Sequence, residues 1–104
     1  MLKKWVVNAS PIISLCSIAK ASLLFELCDE LLIPKGVAEE INRGAEEDPA
    51  KIWLHEFGAA NIKGVGPIEP IIRAWDLGQG ETEVISWAFA NPGWKVEFYP
   101  AQCF

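Results

Sequence analysis

Five polar residues stand where predicted strands end or predicted helices begin, the positions from which side chains can reach a shared site. They are Asn8, Ser10, Glu40, Glu81 and Glu83. In an open parallel sheet, ligands collect outside the carboxyl ends of the strands. Asn8 and Ser10 directly follow the apolar run Trp5-Val6-Val7, so they are expected at that crevice. Carboxylates gathered beside them could hold divalent metal ions for hydrolytic chemistry.

The acidic residues lie on two predicted helices. Three positions separate Val37 from Glu40, so both are expected to face inward while Glu39 points away. Glu81 and Glu83 open a late helix, where the helix dipole favours carboxylates that have no other role. Turn chemistry alone would likewise explain an Asn after a strand. These residues alone are therefore compatible with two interpretations, a metal site or ordinary helix-start and turn roles.

The elements that would position these residues alternate along the chain. Short apolar runs at 5–7, 31–33, about 62 and 94–98 predict strands. Ser10-Pro11 and Asp48-Pro49 are typical helix starts, a break is expected near Lys20, and Gly64 to Pro70 is expected to be a loop. Alternating strands and helices predict an α/β fold, a three-layer α/β/α sandwich with a short parallel sheet that is buried on both faces. A length of 104 residues predicts a single domain over 1–104.

Composition narrows the class of function. Hydrophobic residues make up 51% of the chain, and 14 Asp and Glu against 9 Lys and Arg give a net charge of −5. This acidic balance argues against a protein that binds the DNA backbone through a basic surface. It does not argue against a nuclease whose catalytic centre consists of carboxylates. Cys16, Cys28 and Cys103 lack a metal-binding spacing, and no apolar run could span a membrane. We expect a cytoplasmic protein with reduced thiols.

Three segments in order resemble the PIN-domain family, in particular its VapC-like toxin ribonucleases. Val6-Val7-Asn8-Ala9-Ser10-Pro11 is similar to the family's first strand and helix start. Leu31-Leu32-Ile33-Pro34, followed by Val37 and Glu40-Ile41, is similar to its second strand and the helix after it. Leu77-Gly78-Gln79-Gly80-Glu81-Thr82-Glu83 is similar to the glycine- and acid-rich segment of one VapC-like subgroup. Together they cover nearly the whole chain.

The resemblance implies hydrolysis of RNA with Mg²⁺ or Mn²⁺ held by three or four carboxylates. Glu40 and Glu81 match acidic metal-site positions, and Asn8 stands where the family normally has Asp. Glu83 is an alternate for the third acid, and Ser10 matches a small polar residue near the site. The implied partners are an RNA substrate, a possible antitoxin protein and a second copy in a homodimer.

Two departures from the family affect the expected activity. Asn8 offers a carbonyl oxygen but no negative charge, so metal affinity should fall. After Lys95-Val96-Glu97-Phe98 the family has an Asp-rich turn and a further helix, whereas residues 99–104 contain no Asp, as in a truncated or frame-shifted chain. We therefore predict a ribonuclease with an incomplete acidic site and weak or absent activity. The alternative is a non-catalytic PIN remnant that acts as a protein-interaction or dimerisation module.

Overall fold

The computed structural model describes residues 2–97 of the chain. Its strands are β1 Lys4–Val7, β2 Glu30–Pro34, β3 Ile62–Lys63 and β4 Trp94–Glu97. Its α-helices are α1 Ala9–Ser17, α2 Leu23–Leu27, α3 Lys35–Asn42, α4 Pro49–Trp53, α5 Pro70–Arg73 and α6 Gln79–Ala90. A π-helical turn, Leu54–Gly58, and a 3₁₀ turn, Ala59–Asn61, continue from α4. Phe98, the predicted end of the last strand, lies outside the described residues.

The four strands form one parallel sheet in the order β3-β2-β1-β4. Val6 in β1 is in register with Leu32 in β2 on one side and with Val96 in β4 on the other. The chain passes from β1 to β2 and β3 in one direction and then returns to the opposite side of β1 for β4. The predicted α/β fold with a parallel sheet is confirmed.

The central strands are buried on both faces. Trp5, Val6 and Val7 are consecutive in β1 and all are buried, as are the four residues 31–34 of β2. Because successive side chains of a strand point to opposite faces, an unbroken buried run requires cover on each side. The β-branched and aliphatic composition of these runs thus explains both their extended conformation and their central place.

Helix starts agree with the sequence at one place and differ at another. The Asp48 carboxylate accepts a hydrogen bond from the Ala50 N–H at 2.9 Å, and Pro49 opens α4, as predicted. The prediction of Ser10 as the cap of α1 is wrong: the helix begins at Ala9, and Asn8 is its cap residue. Because α1 follows β1 with only Asn8 between them, Ser10 and Pro11 fall inside the first turn. Pro11 is tolerated there since its missing N–H would have no helical partner.

The connections between elements also follow local chemistry. The break near Lys20 is confirmed, because Ala19 adopts a left-handed conformation with φ 56° between α1 and α2. The expected loop begins at Gly64 but ends at Glu69, since Pro70 already opens the short helix α5. Among residues 2–97, no helix has the length and apolar character needed to cross a membrane.

Candidate functional site

Asn8 lies at the carboxyl end of β1 and is 7% exposed. Asn at a helix cap usually accepts a hydrogen bond from the first turn through its side chain. Here the side chain makes no such bond, and within residues 2–97 its amide forms no other hydrogen bond. Asn8 is not among the buried side chains whose polar atoms lack both a partner and solvent, so its amide keeps access to solvent and can bind something other than the protein.

The structure brings Asn8 and Glu40 together around Gly80. The Oδ1 atom of Asn8 lies 3.4 Å, and the Oε1 atom of Glu40 3.5 Å, from the point where a Cβ atom on Gly80 would stand. The Cγ2 atom of Val37 is 3.2 Å from the same point. Two oxygens from β1 and α3 therefore face one small space on α6, which a glycine keeps open. Val37 is fully buried and Glu39 is exposed, as the helical spacing predicts, but Glu40, which was expected to face inward with Val37, is exposed as well.

The other predicted site residues do not complete a cluster of acids. Glu81 follows Gly80 and is exposed, and Ser10 is half-buried in the first turn of α1. Neither residue forms a hydrogen bond or ion pair with Asn8 or Glu40 in the described part of the chain. Over residues 2–97, no three Asp, Glu, His or Cys side chains lie close enough together to hold a metal ion. Residues 99–104, where the sequence predicts that the family's Asp-rich turn is missing, lie outside the described residues.

Glu83, predicted as an alternate for the third acid, accepts a hydrogen bond at the start of α3. It is 8% exposed, and its Oε1 atom accepts a hydrogen bond from the Gly36 N–H at 2.9 Å. Its Oε2 atom accepts a second hydrogen bond, from the Gln79 side chain. A carboxylate at the first turn of a helix satisfies a free N–H and complements the helix dipole. Glu83 thereby joins α6 to α3 beside the site.

Gly36 is needed for this junction. A Cβ atom at position 36 would lie 2.6 Å from Glu83 Oε2 and 2.9 Å from its Cδ. Such distances are far inside van der Waals contact, so only glycine lets the carboxylate reach the helix start. The contact spans 47 positions in sequence. Sequence reasoning missed it; the available signal was a glycine in the first turn of a helix, where other residues are more favourable.

Cys16 offers no reactive nucleophile at neutral pH. It is buried and is not part of a disulfide bond. Burial, reinforced by the negative charge of Asp48, raises the pKa of the Cys16 thiol to about 11. Since the thiolate is the reactive form, Cys16 stays protonated and inert under ordinary conditions.

The fold is an open parallel α/β domain, and Asn8 and Glu40 lie at the carboxyl edge of its sheet, the edge where such domains bind ligands. A family model described as a PIN domain matches residues 4–97. The chain belongs to the PIN-domain family, a nuclease-type fold, and the family prediction made from sequence is confirmed. No curated protein and no solved structure matches the chain significantly.

Proposed function

We propose that this PIN domain is a VapC-like, toxin-type ribonuclease whose metal site lacks one acid, so that RNA cleavage is weak or lost. The observation that carries the proposal is the meeting of Asn8 Oδ1 and Glu40 Oε1 around Gly80. In the family resemblance, this is the place of two acids; here one of them is an amide. We also propose that the protein acts as a toxin, with RNA as its substrate and an antitoxin protein as its partner.

The residues present fit a divalent ion such as Mg²⁺ or Mn²⁺, although poorly. Both atoms at the space beside Gly80 are oxygens, the ligand type that these ions prefer. The Asn8 amide is buried and lacks a hydrogen-bond partner within residues 2–97, so its carbonyl oxygen is free to coordinate. Mg²⁺ sites often keep several waters and use only one or two carboxylates. In this proposal Glu40 supplies one carboxylate, and the exposed Glu81, one residue past Gly80, supplies a second through water.

A bound ion would supply activation of water and stabilisation of charge on the phosphate. The residues of the chain itself orient these participants. Asn8 fixes a carbonyl oxygen at the end of β1, and Glu40 holds negative charge opposite it on α3. Gly80 leaves room between them, while the Glu83–Gly36 hydrogen bond keeps α6 and α3 in register.

A second candidate function is a non-catalytic PIN remnant that binds another protein or a second copy of itself. An apolar cleft of about 280 Å³ favours it, with Phe25, Trp53 and Phe57 among its walls. Phe57 is 62% exposed, although its side chain is entirely apolar. Sedimentation tests this alternative: a stable monomer at all accessible concentrations counts against self-association, and a dimer supports it.

The proposed nuclease function is tested by cleavage of an RNA panel with Mn²⁺ and the purified chain. We expect slow cleavage or none, because the site holds fewer negative charges than two metal ions require. Glu40→Gln serves as the site variant, and Glu26→Gln, at an exposed acid on α2, as the matched control. Rapid cleavage that Glu40→Gln abolishes and Glu26→Gln preserves would contradict the proposed loss of activity. Rapid cleavage that both variants preserve would contradict the proposed site.

A further inference from the structure

A polar cavity is lined in part by the two helices that carry Glu40 and Gly80. It has a volume of about 320 Å³ and is lined by Lys35, Glu39, the loop 64–66, Arg73, Gln79 and Glu83. Lys35 and Glu39 lie on α3, which carries Glu40, and Gln79 directly precedes Gly80 on α6. A ligand in this cavity would therefore lie against the same two helices that hold the Asn8–Glu40 space.

Two cations that line this cavity form no ion pair among the described residues. Lys35 begins α3, Arg73 ends α5, and both are exposed. Among the described residues neither forms an ion pair, whereas Lys51 pairs with Glu46 at 2.8 Å and Lys4 approaches Glu30 at 3.9 Å. In a chain of net charge −5, two unpaired cations in one concave site are available for an anion.

The side chain of Lys35 lies along the wall of this cavity. The Cδ and Cε atoms of Lys35 each lie 3.9 Å from the point where a Cβ atom on Gly64 would stand. Its stem thus runs beside the glycine loop, in ordinary contact distance. Lys63 precedes this loop and is in register with Pro34, the residue before Lys35. A third cation therefore lies at the same end of β2 and β3.

The two acids that line the cavity differ in how far their negative charge is already compensated by hydrogen bonds. Glu83 is occupied by the Gly36 N–H and by the Gln79 side chain, so its charge is partly compensated. Glu39 is exposed and forms no ion pair within residues 2–97. Glu39 is therefore the one lining acid that should weaken anion binding without being needed for the fold.

We propose that this cavity binds a backbone phosphate of single-stranded RNA, with Lys35 and Arg73 as its cationic contacts. The inference rests on the proposed function and adds the subsite that positions the strand beside the Asn8–Glu40 space. Arg can present a forked pair of donors to phosphate oxygens, and Lys a compact charge. Contacts of this kind fix the register of a strand without reading its sequence.

The test is fluorescence anisotropy of a short labelled RNA of mixed sequence, titrated with the protein in EDTA at several salt concentrations. For single strands, each phosphate contact contributes about 0.7 to the slope of log affinity against log salt. The double variant Lys35→Ala/Arg73→Ala should therefore lower that slope by about 1.4 and weaken binding several-fold at low salt. Lys20→Ala, an exposed lysine between α1 and α2, is the matched control for loss of charge and should change neither.

Glu39→Gln provides a variant of opposite sign, because it should tighten RNA binding several-fold while the protein stays folded. A misfolded protein could not produce this gain. An unchanged salt slope in the double variant, or no gain with Glu39→Gln, would overturn the subsite. Inorganic phosphate that competes as well as RNA at equal ionic strength would also overturn it, in favour of a free-anion site. Because EDTA removes metal, these results are independent of Mn²⁺ cleavage, and failure of the nuclease proposal is seen separately with Glu40→Gln.

Discussion

Replacing Gly36 with alanine is expected to lower the free energy of unfolding by about 2–3 kcal/mol, from overpacking together with loss of a charged hydrogen bond. The new Cβ atom would stand 2.6 Å from Glu83 Oε2, so the carboxylate must withdraw from the α3 N–H that it accepts. Alanine's higher helix propensity returns only about 0.5–1 kcal/mol. For a domain of this size, the melting temperature should fall by about 10 °C. Thermal and urea unfolding followed by circular dichroism measure both quantities.

The matched control is the same substitution in a Glu83→Ala background. Without the carboxylate, the two closest atoms to the new Cβ are gone, and only the Cγ of Gln79 remains, at 3.0 Å. Gly36→Ala should then cost far less than it does in the natural chain, which a double-mutant cycle reports as coupling between positions 36 and 83. Equal costs in both backgrounds would show that the Glu83 hydrogen bond does not join α6 to α3.

Replacing Asn8 with aspartate is expected to raise Mn²⁺ affinity by about tenfold or more, since ligand charge sets the strength of such sites. The side chain keeps its size and gains a negative charge beside Glu40. In EDTA the variant should be less stable than the natural chain, because burial and a neighbouring carboxylate both disfavour the new charge. Mn²⁺ at 100 times its dissociation constant should then add about 2.7 kcal/mol of stability. Melting curves in EDTA and in Mn²⁺ reveal this reversal, and RNA cleavage should increase alongside it.

Two further substitutions make the Asn8→Asp result specific to the site. In the Asn8→Asp background, Glu40→Gln should remove the response to Mn²⁺, whereas Glu39→Gln should leave it intact. If Mn²⁺ stabilises the natural chain and Asn8→Asp equally, position 8 does not contribute a metal ligand. If Asn8→Asp is destabilised in EDTA and Mn²⁺ fails to restore it, the space beside Gly80 does not accept the ion.

Much of the fold follows from local sequence signals. Unbroken apolar runs fixed the central strands, because only a sheet covered on both faces buries every residue of such a run. Asp48-Pro49 predicted a helix start for reasons that operate within a few residues. The π-helical turn Leu54–Gly58 was not predictable, since it depends on packing: a Cβ on Gly58 would lie 3.1 Å from Trp53 and 3.2 Å from Ile33. Such contacts join separate elements and leave no local pattern.

The candidate site was predictable to the extent that topology determines it. Carboxyl ends of parallel strands and the helices after them share one edge, which explains why Asn8 and Glu40 could be expected together. Helix register was harder to predict: Glu81 and Glu83 are two positions apart on the same helix, yet Glu83 is buried against Gly36 and Glu81 is exposed. Which of them turns toward α3 depends on how α6 packs. A single sequence does not contain that information.

We propose that Asn8, Glu40 and Gly80 enclose a metal site that lacks one acid. Paramagnetic broadening by Mn²⁺ in amide NMR spectra tests it directly, because signals nearest the ion disappear first. We predict that small additions of Mn²⁺ first broaden the amide signals of Asn8 and Gly80. Gly80→Ala should weaken this effect, since its methyl group would fill the space between the two oxygens. Broadening that begins instead at the exposed acids Glu46 and Glu47, or that is unchanged in Gly80→Ala, would contradict the account.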